Sequence, residues 1–317
     1  MAEPTWNLGR FLGTLSFFRT LPFLGTVDWL FPTPPLALGL PRPAVALVAA
    51  TPESEQRLYS RLNNLGLEVI THPQGWHQCP RLVAETAALD RLYPQIKDWA
   101  SQEISRLLID FRQPTESLRS LWGSLDDVVM GGVSSSGLGW SPDGAVFSGT
   151  VSTANSGGFA SVRSRNLEPP LDLQGYVGLR LFVQGDGQRY KFILRTSSGW
   201  DSLAYIQSFA TQAGVWQSVD LPFTDLIPTF RARSVPTAPA FQPSQVRSLQ
   251  FMLSKFEVDR ALNPAFRPGA FQLRIASLNG WIPAEQKQLL LVGTPSTQAE
   301  ALGVRLRPWS LENPLPE

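Results

Sequence analysis

Histidine, cysteine and methionine are scarce in this chain: two, one and three among 317 residues. The lone thiol, Cys79, cannot close an internal disulfide, which suits a reducing compartment. There is no G-x-S-x-G, no H-E-x-x-H and no thiol–imidazole pairing, so nucleophilic catalysis has nothing to stand on. "HPQGWHQC" does bring His72, His77 and Cys79 close together. No further ligand or regular spacing completes a zinc site, and the stretch reads as a metal-free loop. An excess of either charge is missing too. The 27 basic residues balance 26 acidic ones and no Lys/Arg run stands out, so direct nucleic-acid binding is not expected. The start "MAEPTWNLGRF" has neither a basic n-region nor an A-x-A site, so a secretory signal is not expected.

Long hydrophobic runs are also absent. Arg10, Arg19 and Asp28 divide the apolar N-terminal segment into charge-free stretches of eight residues. A spanning helix needs about 20. What the segment does have is periodicity: Leu8, Phe11, Leu12, Leu15 and Phe18 fall at helical spacing up to Pro22. Phe23, Leu24, Val27, Leu30 and Phe31 repeat the stripe as a second short helix. Such a pair suits a membrane interface, with Trp6 and Trp29 at headgroup level, or a partner subunit. The other reading packs it on the chain's own core. The partner-binding candidates here are Trp6, Phe11, Phe18, Phe23 and Trp29.

A stiff proline-rich linker, "FPTPPLALGLPRP", comes next. Then "VALVAATPESEQRLYSRLNNLGLEVI", Val45 to Ile70, has the outline of a strand, a tight turn, a helix and a strand. In a dinucleotide-binding unit that turn carries glycines, so that phosphate can approach backbone N–H groups. Here the matching positions are Ala49, Pro52 and Glu55. Pro52 removes a donor and Glu55 adds repulsion, so no bound dinucleotide and no other cofactor are expected. From Arg81 to Leu108 the pattern is helical, with Leu89, Leu92, Ile96 and Trp99 at steps of three and four and a kink at Pro94. On it "YPQIK" matches the Tyr93–Lys97 spacing of a dehydrogenase acid–base pair, but lies too early in the chain and reads as helix surface.

Beyond Asp110 the composition shifts to glycine, serine and β-branched residues in short alternating runs. Eight segments read as strands: "AVFSGTVST", "GFASVRS", "GLRLFVQG", "YKFILRT", "LAYIQSF", "WQSVDL", "VRSLQFMLS" and "FQLRIASL". In the last, Phe271, Leu273 and Ile275 point one way and Gln272 and Arg274 the other. So many strands without an intervening helix argue for a jelly-roll β-sandwich. "KQLLLVGTPST" adds one buried strand near the end. In "LWGSLDDVVMGGVSSSG", Asp126 and Asp127 either bind a cation or sugar, or cap a turn whose glycines, Gly131 and Gly132, take positive φ. Arg163, Arg165, Lys191, Arg195, Trp200 and Tyr205 sit on alternating strands, where several share one face, either as a recognition patch or as a solvated sheet face.

Five stretches carry a family resemblance: "WGSLDDVVMGGVSSSG", "FSGTVSTANSGGFASVRSRN", "LDLQGYVGLRLFVQGDGQRYKFILRT", "VWQSVDLPFTDLIPTFRAR" and "LQFMLSKFE". Over about Leu108 to Gly280 the chain resembles the thirty-kilodalton complex I intermediate-associated protein family. The resemblance implies a galactose-binding-like jelly roll and assistance in complex assembly without catalysis. The flanks, and phrases such as "STANSGGFASVRSRN" and "MLSKFEVDRALNP", are similar to cyanobacterial and chloroplast members. In those the jelly roll is inserted into an atypical short-chain dehydrogenase domain, and the plant members serve photosystem II biogenesis. This chain departs from that subgroup: the glycine turn is gone, the dehydrogenase half is shortened, and the Tyr/Lys helix after "LLLVGTPST" is missing.

The expected fold is mainly β, a jelly roll inserted into a truncated, degenerate Rossmann-like α/β unit. Amphipathic helices occupy 1–31, the linker 32–43, the Rossmann-like remnant 44–108 plus 286–294, the jelly roll 109–282 and a tail 295–317. The expected function is a non-catalytic biogenesis factor, peripheral on the cytoplasmic (stromal-type) face of a thylakoid membrane. Its expected partners are the membrane surface and photosystem subunits. A factor for a complex I-like NAD(P)H dehydrogenase, an atypical NADP-dependent reductase and a carbohydrate-binding module are the alternatives.

Overall fold

The computed structural model describes residues 6–18, 20–21, 25–26, 41–199, 202–294 and 297–315. Contacts divide the chain into two compact units. The first takes the described residues of Met1–Leu40 with Ile109–Leu171 and Leu181–Leu278; the second takes Pro41–Leu108, Asp172–Arg180 and Asn279–Glu317.

The first unit is a β-sandwich. Its seven-stranded sheet runs Arg233–Ser234, Ile227–Phe230, Ala204–Ala210, Arg189–Arg195, Ser248–Ser254, Phe159–Ser164, Trp122–Ser124 from edge to edge. Neighbours in it pair antiparallel. The second sheet runs Trp216–Pro222, Gly178–Gln184, Gly269–Ile282, Gly144–Val151, Ser135–Ser141. All eight strands expected from alternation are present. Alternation works because a pleated strand sends successive side chains to opposite faces. Thus Phe271, Leu273 and Ile275 are buried while Gln272 is exposed. Between the sheets aromatic rings interlock, with Phe147 4.9 Å from Phe271 and 6.3 Å from Tyr190, and Phe192 5.0 Å from Phe251.

Helix α1 (Leu8–Phe18) belongs to this unit. Where a second helix was expected, Gly25–Thr26 pairs antiparallel with Thr20–Leu21, so the chain doubles back. Phe23 and Trp29 lie outside the described residues, as does most of the proline-rich linker.

The second unit holds a five-stranded sheet in the order Arg305–Pro308, Gln288–Val292, Arg81–Glu85, Ala44–Val48, Glu68–Ile70, with every neighbouring pair parallel. Its inner strands "AVALV", "RLVAE" and "QLLLV" are near-continuous apolar runs because both faces of a parallel sheet are covered. Helices α2 (Pro52–Asn64) and α3 (Leu89–Ser101) accompany it. Leu58 and Leu62 of α2 pack with Val45, Leu47 and Trp309, whereas Ile96 and Trp99 of α3 pack with Ala46, Val48 and Trp76. Two expectations are corrected here. Arg81–Leu108 is not one helix but strand Arg81–Glu85, α3 and strand Ile104–Asp110, since a short apolar run lacks a diagnostic period. The segment read as a tail contributes strand Arg305–Pro308 and the buried Trp309.

The glycine-free turn has its own anion. Thr51 caps α2 in a capping box with Ser54, and Pro52 begins the helix. The carboxylate of Glu85, from the neighbouring strand, accepts from Ala50 N–H at 2.6 Å and from the Ser54 hydroxyl at 2.6 Å. A side-chain carboxylate therefore fills the place beside the helix N-terminus where a phosphate would dock. At the other end of the unit the fully buried Lys287 ammonium donates to the Trp99 carbonyl in the last turn of α3 and lies 4.7 Å from that ring's centroid.

Replacing Glu85 by alanine strands the Ala50 and Ser54 donors. It should lower unfolding stability by about 1–3 kcal/mol in urea titration, against little change for Glu55→Ala. Burial lowers the Lys287 pKa to about 8 from 10.5, so between those values the unfolded chain binds more protons and stability rises with pH. Lys287→Met should remove that rise. Cys79, pushed up by burial to about 12 from 9.0, acts with the opposite sign in both proteins. The difference between the two stability profiles from pH 8 to pH 10.5 therefore isolates Lys287.

Candidate functional site

The polar stretch that distinguishes the sequence, Leu125 to Gly137, folds around two buried carboxylates. A 3-10 turn over Asp127–Met130 ends at Gly131 with φ of 92°, a left-handed conformation suited to glycine. Asp127 accepts from Ser134 N–H (2.9 Å), Ser134 Oγ–H (2.7 Å), Gly158 N–H (2.8 Å) and Phe159 N–H (3.2 Å). Gly132 and Gly157 are small for a steric reason: a Cβ at either would lie 2.3 or 2.5 Å from that carboxylate. Asp126 accepts from Ser136 N–H (2.8 Å) and Ser161 N–H (2.9 Å), as well as from the Ser136 hydroxyl. Burial raises the Asp126 pKa, the hydrogen bonds from Ser136 and Ser161 oppose the rise, and the neighbouring Asp127 adds to it. Both carboxylates are turned inward. Of the roles open to Asp126 and Asp127, binding a cation, a sugar or a partner or capping a turn, their burial and hydrogen bonds match the last: they hold a turn between strands.

From this node a polar chain continues along the seven-stranded sheet, on the face turned away from the aromatic core. Ser161 Oγ accepts from Gln250 Nε2 (2.9 Å), and Gln250 Oε1 accepts from Arg195 Nη1 (2.7 Å). Arg163 stands opposite Gln250 and Lys191 opposite Met252 on the same face. Register therefore brings Arg163, Lys191 and Arg195 onto one face. Tyr205 pairs with Leu194 on the other face and donates from its hydroxyl to Pro239 O at 2.9 Å, so it leaves the patch. The face is neither solvated nor open: Arg163, Lys191, Gln250 and Ile193 are all buried. Burial pulls the Arg163 and Lys191 pKa values down; nearby Arg195 adds to the first effect, while Glu257 opposes the second. Lys191 Nζ donates to Phe256 O at 2.5 Å, and Glu257 accepts from Arg189 Nε at 3.0 Å and from the Ser208 hydroxyl. Trp200 lies outside the described residues.

Helix α1 closes the other side of the node. Trp6 Nε1–H donates to Val128 O (2.8 Å) and Thr14 Oγ1–H to Ser124 O (3.3 Å). Phe17 covers Gly123, where a Cβ would come within 2.3 Å of its ring, and Arg165 lies over the same ring at 4.2 Å. Trp6 rests against Phe11 at 5.7 Å, and the Phe18 ring meets Phe17 edge-on at 4.9 Å. The helix thus docks through Thr14 and Phe17 rather than through its leucine stripe, leaving Leu8 55% and Leu12 52% exposed. A cleft of about 350 Å³ opens beside it, lined by Arg10, Thr14, Phe17, Ser124, Asp126 and Ser136. Gln250, Ser161 and Glu257 join these networks, and Glu85 caps α2 in the second unit, without having been singled out in the sequence; each is an ordinary polar residue whose partner lies at least 31 positions away.

The same segment is where known proteins match. Residues 109–275, more than half of the 317, match the family described as complex I intermediate-associated protein 30. The chain belongs to this family. A relative, an uncharacterized protein of Schizosaccharomyces pombe, is 30% identical over 166 residues, which covers 47% of this chain and 76% of the relative. Among solved structures, the family 11 carbohydrate-binding module of the cellulosomal cellulase Lic26A-Cel5E of Clostridium thermocellum is 16% identical. That likeness covers 56% of this chain and 95% of the module with a TM-score of 0.40. The agarase AgWH50C is 9% identical over 55% of this chain and 26% of its own, with a TM-score of 0.35.

Asp127→Ala leaves the Ser134 and Gly158 N–H groups buried and without the carboxylate that accepts from them. At about 1–3 kcal/mol for each stranded group, the loss should be large enough to unfold the sandwich at moderate denaturant, read as a lowered urea midpoint with tryptophan fluorescence.

Proposed function

We propose that this family member is a non-catalytic assembly factor for a membrane protein complex. It holds a client subunit against the outward leucine face of α1. One observation carries the reading: α1 is clamped to the sandwich through Thr14 and Phe17, with Trp6 bonded to Val128 just before it, so Leu8 and Leu12 face outward. The family's association with complex I intermediates supports assembly of a multi-subunit complex as the setting. Photosystem II as the client, and the cytoplasmic face of the thylakoid as the place, are the finer part of the proposal. They rest on the resemblance of the flanking segments to photosynthetic members. The absence of catalysis is likewise proposed, and Glu85 at the helix N-terminus supports it by occupying the position a cofactor phosphate needs. No helix among the described residues is long and apolar enough to cross a membrane.

The test is a pull-down of the tagged full chain from gently solubilised membranes, beside a Leu8→Asp/Leu12→Asp variant. Complex subunits should be recovered with the wild type and reduced about tenfold with the variant, since a charged residue in an apolar contact costs more than 1.4 kcal/mol. Photosystem subunits would fix the client as proposed, complex I-like subunits would move it, and equal recovery by both proteins would remove α1 from the interface.

A further inference from the structure

The sandwich has a second exposed apolar surface that shares no residue with α1. It is built from two hairpin tips. In one, Phe230 pairs with Arg233 across the turn residues Arg231 and Ala232. In the other, Phe256 pairs with Leu262, and Ala261 N–H donates to Val258 O (3.1 Å) across Asp259 and Arg260. All four turn residues have positive φ: 50°, 61°, 55° and 64°. Two-residue hairpins of this kind ordinarily use Asn-Gly, because a side chain is strained there. The tips are held in that conformation by one another. Asp259 N–H donates to Ala232 O (3.1 Å), and the Asp259 carboxylate accepts from Ser234 N–H (2.8 Å) and Ser234 Oγ–H (2.6 Å).

Strained turns that the fold keeps in place point to what they present. Here that is Leu262, 64% exposed, with Phe230 and Phe256 at 41% and 40%. Around these side chains stand Arg233, Arg260 and Lys255, the last over the Phe256 ring at 5.4 Å. Glu257 is paired with Arg189, and Asp259 keeps its charge beside Arg233, so the basic side chains outnumber the one carboxylate left among them. The surface is therefore apolar at its points and cationic around them.

We propose that the paired tips dock on an anionic lipid surface. Separate convex side chains ringed by cations suit a headgroup layer, which takes Phe and Leu at the acyl boundary and places phosphates beside Lys and Arg. A folded protein partner would instead need a matched patch of about 800 Å². The proposal deepens the membrane-peripheral part of the function above, and its test is separate from client capture. The full chain is sedimented with vesicles of phosphatidylcholine alone and of phosphatidylcholine with phosphatidylglycerol, at low and high salt. Binding should require the anionic lipid and weaken with salt. It should fall about tenfold in Phe256→Ser/Leu262→Ser and in Arg233→Ser/Arg260→Ser, with unchanged melting because these side chains are exposed. Leu8→Asp/Leu12→Asp should still bind vesicles even where it loses its client. Equal binding to neutral vesicles, wild-type binding by both hairpin variants, or capture of soluble polyglutamate in place of vesicles would overturn the proposal.

Discussion

A carboxylate buried inside a sandwich must be given hydrogen-bond donors or it unfolds what surrounds it. Asp127 receives four, from two separate places in the chain: Ser134, and the adjacent Gly158 and Phe159. Meeting that demand sets the turn after Trp122–Ser124, the entry to strand Ser135–Ser141 and the entry to strand Phe159–Ser164. Asp126 draws in Ser136 and Ser161, and Ser161 passes the chain of hydrogen bonds to Gln250 and Arg195. Helix α1 then docks on the rim of the same node, at Val128 and Ser124. The motif that looks like a binding site is a structural knot, and its consequence for function is indirect. By seating α1 through Thr14 and Phe17, it turns the leucines outward.

The second unit applies the same rule in a different setting. A strand–turn–helix places unpaired N–H groups at the start of α2, and something anionic is favoured there. Glu85 reaches across from the adjacent parallel strand and supplies it. Lys287 does the converse at the end of α3, where carbonyls are exposed. The start of α2 and the end of α3, which pack on opposite faces of the sheet, are thus closed by Glu85 from one strand and by Lys287 from just before another.

Much of the sandwich was readable from alternation, because a half-buried strand writes its period into the sequence, as in Phe271, Leu273 and Ile275. The misses have physical causes. "RLVAE" is buried on both faces and so carries no period, which let it be absorbed into a helix. Strand Arg305–Pro308 lies at a sheet edge with polar side chains outward, and looked like a tail. In the candidate site, strand parity puts Lys191 and Arg195 on one face, whereas Arg163, on a different strand, joins them only through the pairing register. Their burial does not follow from parity, which says which face a residue takes and not what covers that face. Which of the six share that face, and that Tyr205 does not, depends likewise on the pairing register, which no local pattern states.

The sequence by itself determined the period of the half-buried strands, the helix stripe of α1, the loss of a glycine phosphate turn and membership of its family. These are local or cumulative properties, written in residues near one another. Only the tertiary structure decided which side of α1 faces outward, that Asp126 and Asp127 turn inward, that Glu85 occupies the turn, and that two distant hairpin tips stand side by side. Each of these depends on partners tens of residues apart in the chain, as Glu85 is from Ser54 and Asp259 from Ser234. Register and packing, rather than local preference, bring such partners within hydrogen-bonding distance.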